Sequence, residues 1–122
     1  LGVGNSYGTR SLHEQSHGEA FFSLFSERFS GHGLYILDEP EAALSPTRQL
    51  AMLVRMHELV GARSQLIIAT HSPIVMAYPN ACIFAISNAR LQLVAYEDTE
   101  HFTVTKAFLA DRQGFLIDML TE

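Results

Sequence analysis

The stretch Leu34-Tyr35-Ile36-Leu37-Asp38-Glu39 runs four apolar residues into two acids. A carboxylate at a strand tip can hold Mg²⁺ through water, and a second beside it can orient and polarise an attacking water. Magnesium keeps most of its own waters, so one or two carboxylates suffice. Acids are also common where a strand runs out into solvent, so the pair needs support from elsewhere. Ile68-Ala69-Thr70-His71-Ser72-Pro73 supplies it with a histidine after a second apolar run. A histidine near the same edge as the acids could contact a terminal phosphate and sense its presence. Ser16-His17-Gly18-Glu19 is a third candidate, a small-residue turn opening a helix where a phosphate would sit.

That third region also has a competing reading. His13-Glu14-Gln15-Ser16-His17 fits H-E-x-x-H, the zinc-hydrolase helix motif. Such a site needs both histidines on one helical face and a third ligand downstream, for which Glu39 or Glu41 could be offered. Gly18 directly after His17 is a poor helix-interior residue. The helix would also have to begin among residues with little helical pattern, and Glu39 is better explained by the strand tip. Six histidines in 122 residues make a chance match easy.

The elements that must position these groups follow from periodicity. Residues 1–15, rich in Gly, Ser and polar groups, read as loop. Phe21, Phe22, Phe25 and Phe29 recur at helical spacing, so a helix is expected over His17–Phe29, broken at Gly31-His32-Gly33. Leu34–Leu37 reads as a strand buried on both faces, and Leu66–Ala69 as a second. Between them Ser45 caps and Pro46 opens a helix to about Val60, stopping at Gly61, with Arg48 and Arg55 on its exposed side. Ser72-Pro73 opens a short helical segment ending near Tyr78-Pro79-Asn80. Residues 82–86 form a third strand, with Cys82 expected as a buried thiol. Asn88-Ala89-Arg90 turns the chain, and Leu91–Tyr96 returns antiparallel to the third strand. Thr103–Leu120 reads as one or two helices. Strands alternating with helices make the chain α/β with a mainly parallel sheet, whose ligands bind at the carboxyl ends of the strands.

Bulk properties bound the function. A chain of 122 residues, 48% apolar, is one domain or part of one. A net charge of −5 argues against a general nucleic-acid surface, though a local patch stays possible. The single cysteine excludes an internal disulfide and a cysteine zinc site, and fits a reducing, cytoplasmic compartment. No apolar run is long enough to span a bilayer. The start LGVGNSYGTR lacks the pattern of a signal peptide and an initiator Met, as expected of a fragment or a processed chain.

Taken together, these motifs resemble the C-terminal half of an ABC-type P-loop ATPase. Ser16-His17-Gly18-Glu19 resembles the signature motif, Leu34–Glu39 resembles Walker B plus the catalytic glutamate, and His71 resembles the switch histidine. Glu41-Ala42-Ala43-Leu44-Ser45 sits where the family has its D-loop, so Ala43, Leu44 and Ser45 are expected at a dimer interface. The resemblance covers roughly residues 15–86. Glu19 and Thr70-His71-Ser72-Pro73 look more like the SMC/RecF-like branch of AAA-family ATPases, and Tyr96–His101 resembles small ATPases of that branch. His17 stands in place of the first signature glycine, Gln15 in place of an apolar residue, and Ser45 where many members have Asp.

One part is missing. A P-loop needs G-x-x-x-x-G-K-[ST], whose amides cradle the phosphates and whose Lys reaches the β and γ oxygens. The only lysine is Lys106, far from any glycine-rich turn. The resemblance therefore implies a partial P-loop NTPase fold lacking its P-loop strand, with an open slot between the switch-histidine strand and the third strand. It implies ATP and Mg²⁺ as ligands. Residues 1–15 would be loop, 16–86 the signature, Walker B, D-loop and switch core, and 87–122 a C-terminal hairpin strand and helices. The expected partners are a Walker A-bearing portion or chain and a second copy, with ATP at the interface. Alone, the chain is expected to be inactive. In the family the signature of one subunit closes over ATP held by another's P-loop. Ser16 would then donate its hydroxyl and Gly18 would allow close backbone approach, while Ser16 would also cap its helix. The non-enzymatic alternative is a nucleotide-sensing or interaction module.

Overall fold

The computed structural model describes residues 31–121. The loop expected over residues 1–15, the helix over His17–Phe29 and the Ser16–Glu19 turn lie outside the described residues. Backbone contacts divide the chain into two units, one ending at Val75 and one beginning at Met76.

The first unit is a strand, a helix and a strand. Strand β1 (Leu34–Asp38) leads to helix α1 (Pro46–Gly61) and then strand β2 (Gln65–Ala69). The strands pair in parallel, from Leu34 beside Gln65 to Asp38 beside Ala69. A parallel pair needs a long crossover, and α1 is that crossover. It starts as expected: the Ser45 hydroxyl accepts the Arg48 N–H at 3.2 Å, and Pro46 needs no partner in the first turn. Its end differs in detail. The helix includes Gly61, and the left-handed residue is Arg63, at φ 67°. The Ala62 N–H still bonds back to Glu58 and Leu59, at 3.0 and 3.1 Å, so the chain turns two residues later than the glycine.

Met52, Met56 and Leu59 lie one above another on α1 and are its buried residues. The strands alternate: Tyr35, Leu37, Leu66 and Ile68 are buried or half-buried, whereas Leu34, Ile36 and Ile67 are exposed. Burial on both faces, expected from the continuous apolar runs, is therefore corrected to burial on one. Successive side chains point to opposite faces, and among the described residues α1 covers one of them. Arg55 is also corrected. Its side chain is 21% exposed and pairs with Glu58 at 3.1 Å, while Arg48 is exposed as expected.

After β2 the helical segment expected from Ser72 shrinks to one 3₁₀ turn, Val75–Ala77. The Ser72 hydroxyl takes the Ile74 and Val75 N–H groups at 3.1 and 3.0 Å, and Asn80 turns left-handed at φ 64°. This stretch has a helix start but no room to extend.

In the second unit, strands β3 (Ile83–Ser87) and β4 (Arg90–Val94) form an antiparallel hairpin. Asn88 and Ala89 both have positive φ, 50° and 61°, the two-residue turn whose twist matches that of paired strands. The expected mainly parallel sheet is thus one parallel pair, β1–β2, and a separate hairpin among the described residues. Cys82 is exposed, not buried: it precedes β3, and residues 84–87 within that strand are exposed as well.

Helices α2 (Glu100–Ala110) and α3 (Arg112–Leu120) follow a 3₁₀ turn at Tyr96–Asp98. Helix α2 begins three residues before the expected Thr103 because buried Thr99 caps it. The Thr99 hydroxyl accepts the Phe102 N–H at 3.2 Å and donates to the Tyr96 carbonyl at 2.7 Å. The Tyr96 ring packs 4.8 Å from that of Phe102, and burial, with the Glu97 charge, pushes the Tyr96 phenol above its ordinary pKa. Replacing Thr99 by Ala removes the cap on the Phe102 N–H and one of the two donors to the Tyr96 carbonyl, which keeps the Thr99 N–H at 3.1 Å, at a cost of about 1 kcal/mol. Denaturant titration checks this value, and an unchanged midpoint would remove the cap from the account.

Candidate nucleotide site

Asp38 is the last residue of β1 and is exposed. Glu39 follows it at φ 48°, a left-handed conformation that costs a residue with a Cβ about 1–2 kcal/mol. Three features hold it there. Its N–H donates to the Ala69 carbonyl at 2.7 Å, its carbonyl accepts the Ala42 N–H at 3.1 Å, and Pro40 behind it is buried. Backbone strain that surrounding structure maintains is concentrated at functional sites, so Glu39 is marked independently of its motif.

The parallel register decides what faces this turn. Asp38 lies beside Ala69, and His71 is two residues further along β2's exit. Sequence reasoning expected the histidine near the acids, and the pairing places the two loops side by side. They are also joined: the His71 N–H donates to the Glu41 carboxylate, to Oε2 at 3.1 Å. Ser72, 6% exposed, donates its hydroxyl to the Gln49 side-chain oxygen at 2.5 Å. Gln49 in turn donates from Nε2 to the Leu44 carbonyl at 3.1 Å.

The remaining sites named from sequence stand as follows. Ala43 and Ser45 are exposed and Leu44 is buried at 8% exposure, so the last two also serve locally, as cap and core. Ser16, His17, Gly18 and Glu19 lie outside the described residues, as do His13 and Glu14 of the H-E-x-x-H match. Among the described residues no group of three or more His, Cys, Asp or Glu is set to hold a metal ion. Asp38 and Glu39 do offer hard oxygen donors at a strand tip, the chemistry that suits a mostly hydrated Mg²⁺. Sequence reasoning missed the roles of Glu41, Gln49 and Ser72. Their bonds span 30 and 23 residues, and no spacing rule signals them.

A parallel strand pair with its crossover helix, and with acids and a histidine where the strands end, defines a mixed α/β, partial P-loop NTPase-like fold. Residues 4–77 match the family described as "AAA domain, putative AbiEii toxin, Type IV TA system". The match spans more than half of the 122 residues, and the chain belongs to this family of nucleotide-binding, ATPase-like domains. It ends within the 3₁₀ turn Val75–Ala77, close to the boundary between the two units. No curated protein matches the chain. No helix among the described residues is long and apolar enough to cross a membrane.

Proposed function

We propose that this chain is the C-terminal part of an ABC-type ATPase of the SMC/RecF-like branch, working with a Walker A motif carried elsewhere. The observation that supports this reading most is the parallel β1–β2 pairing, which sets Asp38-Glu39 and His71 in adjacent loops. A solvent-facing strand end would account for the acids alone but not for the strained Glu39 or the bonded histidine loop.

In this reading Asp38 would hold a hydrated Mg²⁺, which when bound would supply charge neutralisation at the phosphate oxygens. Glu39 accepts a hydrogen bond from the attacking water and polarises it along the line to the γ-phosphorus. His71 donates a hydrogen bond to a γ-phosphate oxygen and so responds to its loss. Ser16 to Glu19 close over the γ-phosphate of a second copy, with Ala43, Leu44 and Ser45 at that dimer interface. Residues 16–86 form the working core and 87–122 a C-terminal extension. The setting is cytoplasmic. The Lys-bearing loop comes from another stretch of polypeptide, which adds its strand to the open sheet.

The 122-residue chain alone is expected to release no phosphate from ATP above background. Adding the P-loop-bearing portion is expected to restore magnesium-dependent release. Robust turnover by the 122 residues, purified free of contaminants, would sink the proposal.

A further inference from the structure

The bonds around His71 close into a ring. Glu41 Oε2 accepts the His71 N–H at 3.1 Å. The next residue, Ser72, donates to Gln49 at 2.5 Å, Gln49 donates to the Leu44 carbonyl at 3.1 Å, and the Leu44 N–H returns to the Glu41 carbonyl at 2.9 Å. The backbone of His71 is thus held from the β1 side while His71 itself stays exposed. The other carboxylate oxygen of Glu41, Oε1, is buried with no hydrogen-bond partner. Leaving a buried polar oxygen unpaired is costly, so this bond is kept against a penalty.

From this ring we infer that Glu41 is a positioning residue: through the His71 amide it sets where the imidazole meets the γ-phosphate. It also ties the stretch 41–45 to that imidazole, so displacement of one moves the other. The inference rests on the ATPase reading above. The bond requires an acceptor oxygen at the reach of a Glu side chain, and the negative charge is incidental. Glutamine has the same length and an acceptor oxygen. Aspartate keeps the charge but falls one methylene short.

The test is steady-state ATP hydrolysis by the complete protein, P-loop portion included. Glu41→Ala and Glu41→Asp are expected to lower kcat about tenfold with KM for ATP within about threefold, and Glu41→Gln to retain most of the turnover. In a His71→Ala background, Glu41→Ala is expected to cost less than about twofold more, because the two residues act as one unit. Should Glu41→Ala fail to fold, the order of Gln above Asp carries the same test. Asp above Gln, full activity in both Ala and Asp, or independent losses in the double variant would overturn the inference. Wild-type turnover in both Glu39→Gln and His71→Ala would remove the roles given to those residues and the inference with them, and no ATP turnover by the unsubstituted complete protein would instead remove the ATPase reading itself.

Discussion

Glu39→Gln in the complete protein is expected to lower ATP turnover about 10²–10⁴-fold, the range for loss of a positioned general base. The substitution is nearly isosteric, so what changes is chemistry. A carboxylate can accept a proton from, and strongly polarise, the water that attacks the γ-phosphorus; an amide oxygen accepts only a weaker hydrogen bond and takes no proton. The fold should survive, because Glu39 is held by backbone bonds to Ala69 and Ala42 and not by its side chain. Nucleotide binding should survive too, because neutralising one acid beside a triphosphate removes repulsion. The expected outcome is therefore a trapped ATP state: binding retained, phosphate release lost, and an ATP-dependent dimer that persists in light scattering. Phosphate release within about threefold of wild type would take Glu39 out of the chemistry. A non-enzymatic module would show neither the trapped dimer nor any dependence on this residue.

The second large effect is on stability. Met52 is fully buried, at 0% exposure, in the middle of α1's inward face between Met56 and the half-buried Gln49. Met52→Ala is expected to cost about 2–5 kcal/mol, the transfer cost of the lost atoms plus the cavity they leave. On the same helix, Leu50 and Val54 are 55% and 62% exposed, so their replacement by Ala should stay within about 0.5 kcal/mol. Denaturant unfolding of the three variants side by side measures the contrast. The result bears on function, because α1 is the crossover that keeps β1 and β2 parallel and so keeps His71 beside Glu39. Equal costs at Met52 and Val54 would mean that the inward face of α1 had been assigned wrongly.

Much of the first unit was legible in the residues themselves. Four-residue apolar runs ended by Asp-Glu and by Thr-His announce strands with chemistry at their tips. Ser45-Pro46 announces a helix start, because capping and a missing N–H are local requirements that the next few residues satisfy or do not. The hairpin was legible for the same reason, since Asn88-Ala89 must turn within two residues. Misreadings came where burial decides. Apolar runs report that a surface prefers to leave water, but not which neighbour covers it, and among the described residues only one face of the β1–β2 pair is covered. Cys82 and Arg55 went wrong likewise: the third strand leaves residues 84–87 exposed along with the thiol, and the Arg55 side chain is 21% exposed although its partner Glu58 is 60% exposed.

The site divides along the same line. Residue type and spacing picked out Asp38, Glu39 and His71, without any fold, as the candidates for phosphate chemistry, because acid–base and metal preferences belong to side chains. They also determined that no lysine stands in a phosphate-gripping loop of these 122 residues. Only the tertiary structure decided that the acids and the histidine share one edge, that Glu39 sits in a strained left-handed turn, and that Glu41 holds the His71 amide. A hydrogen bond across 30 residues exists because two strands happen to lie parallel and in register, and register is a property of the assembled sheet that neither strand carries by itself.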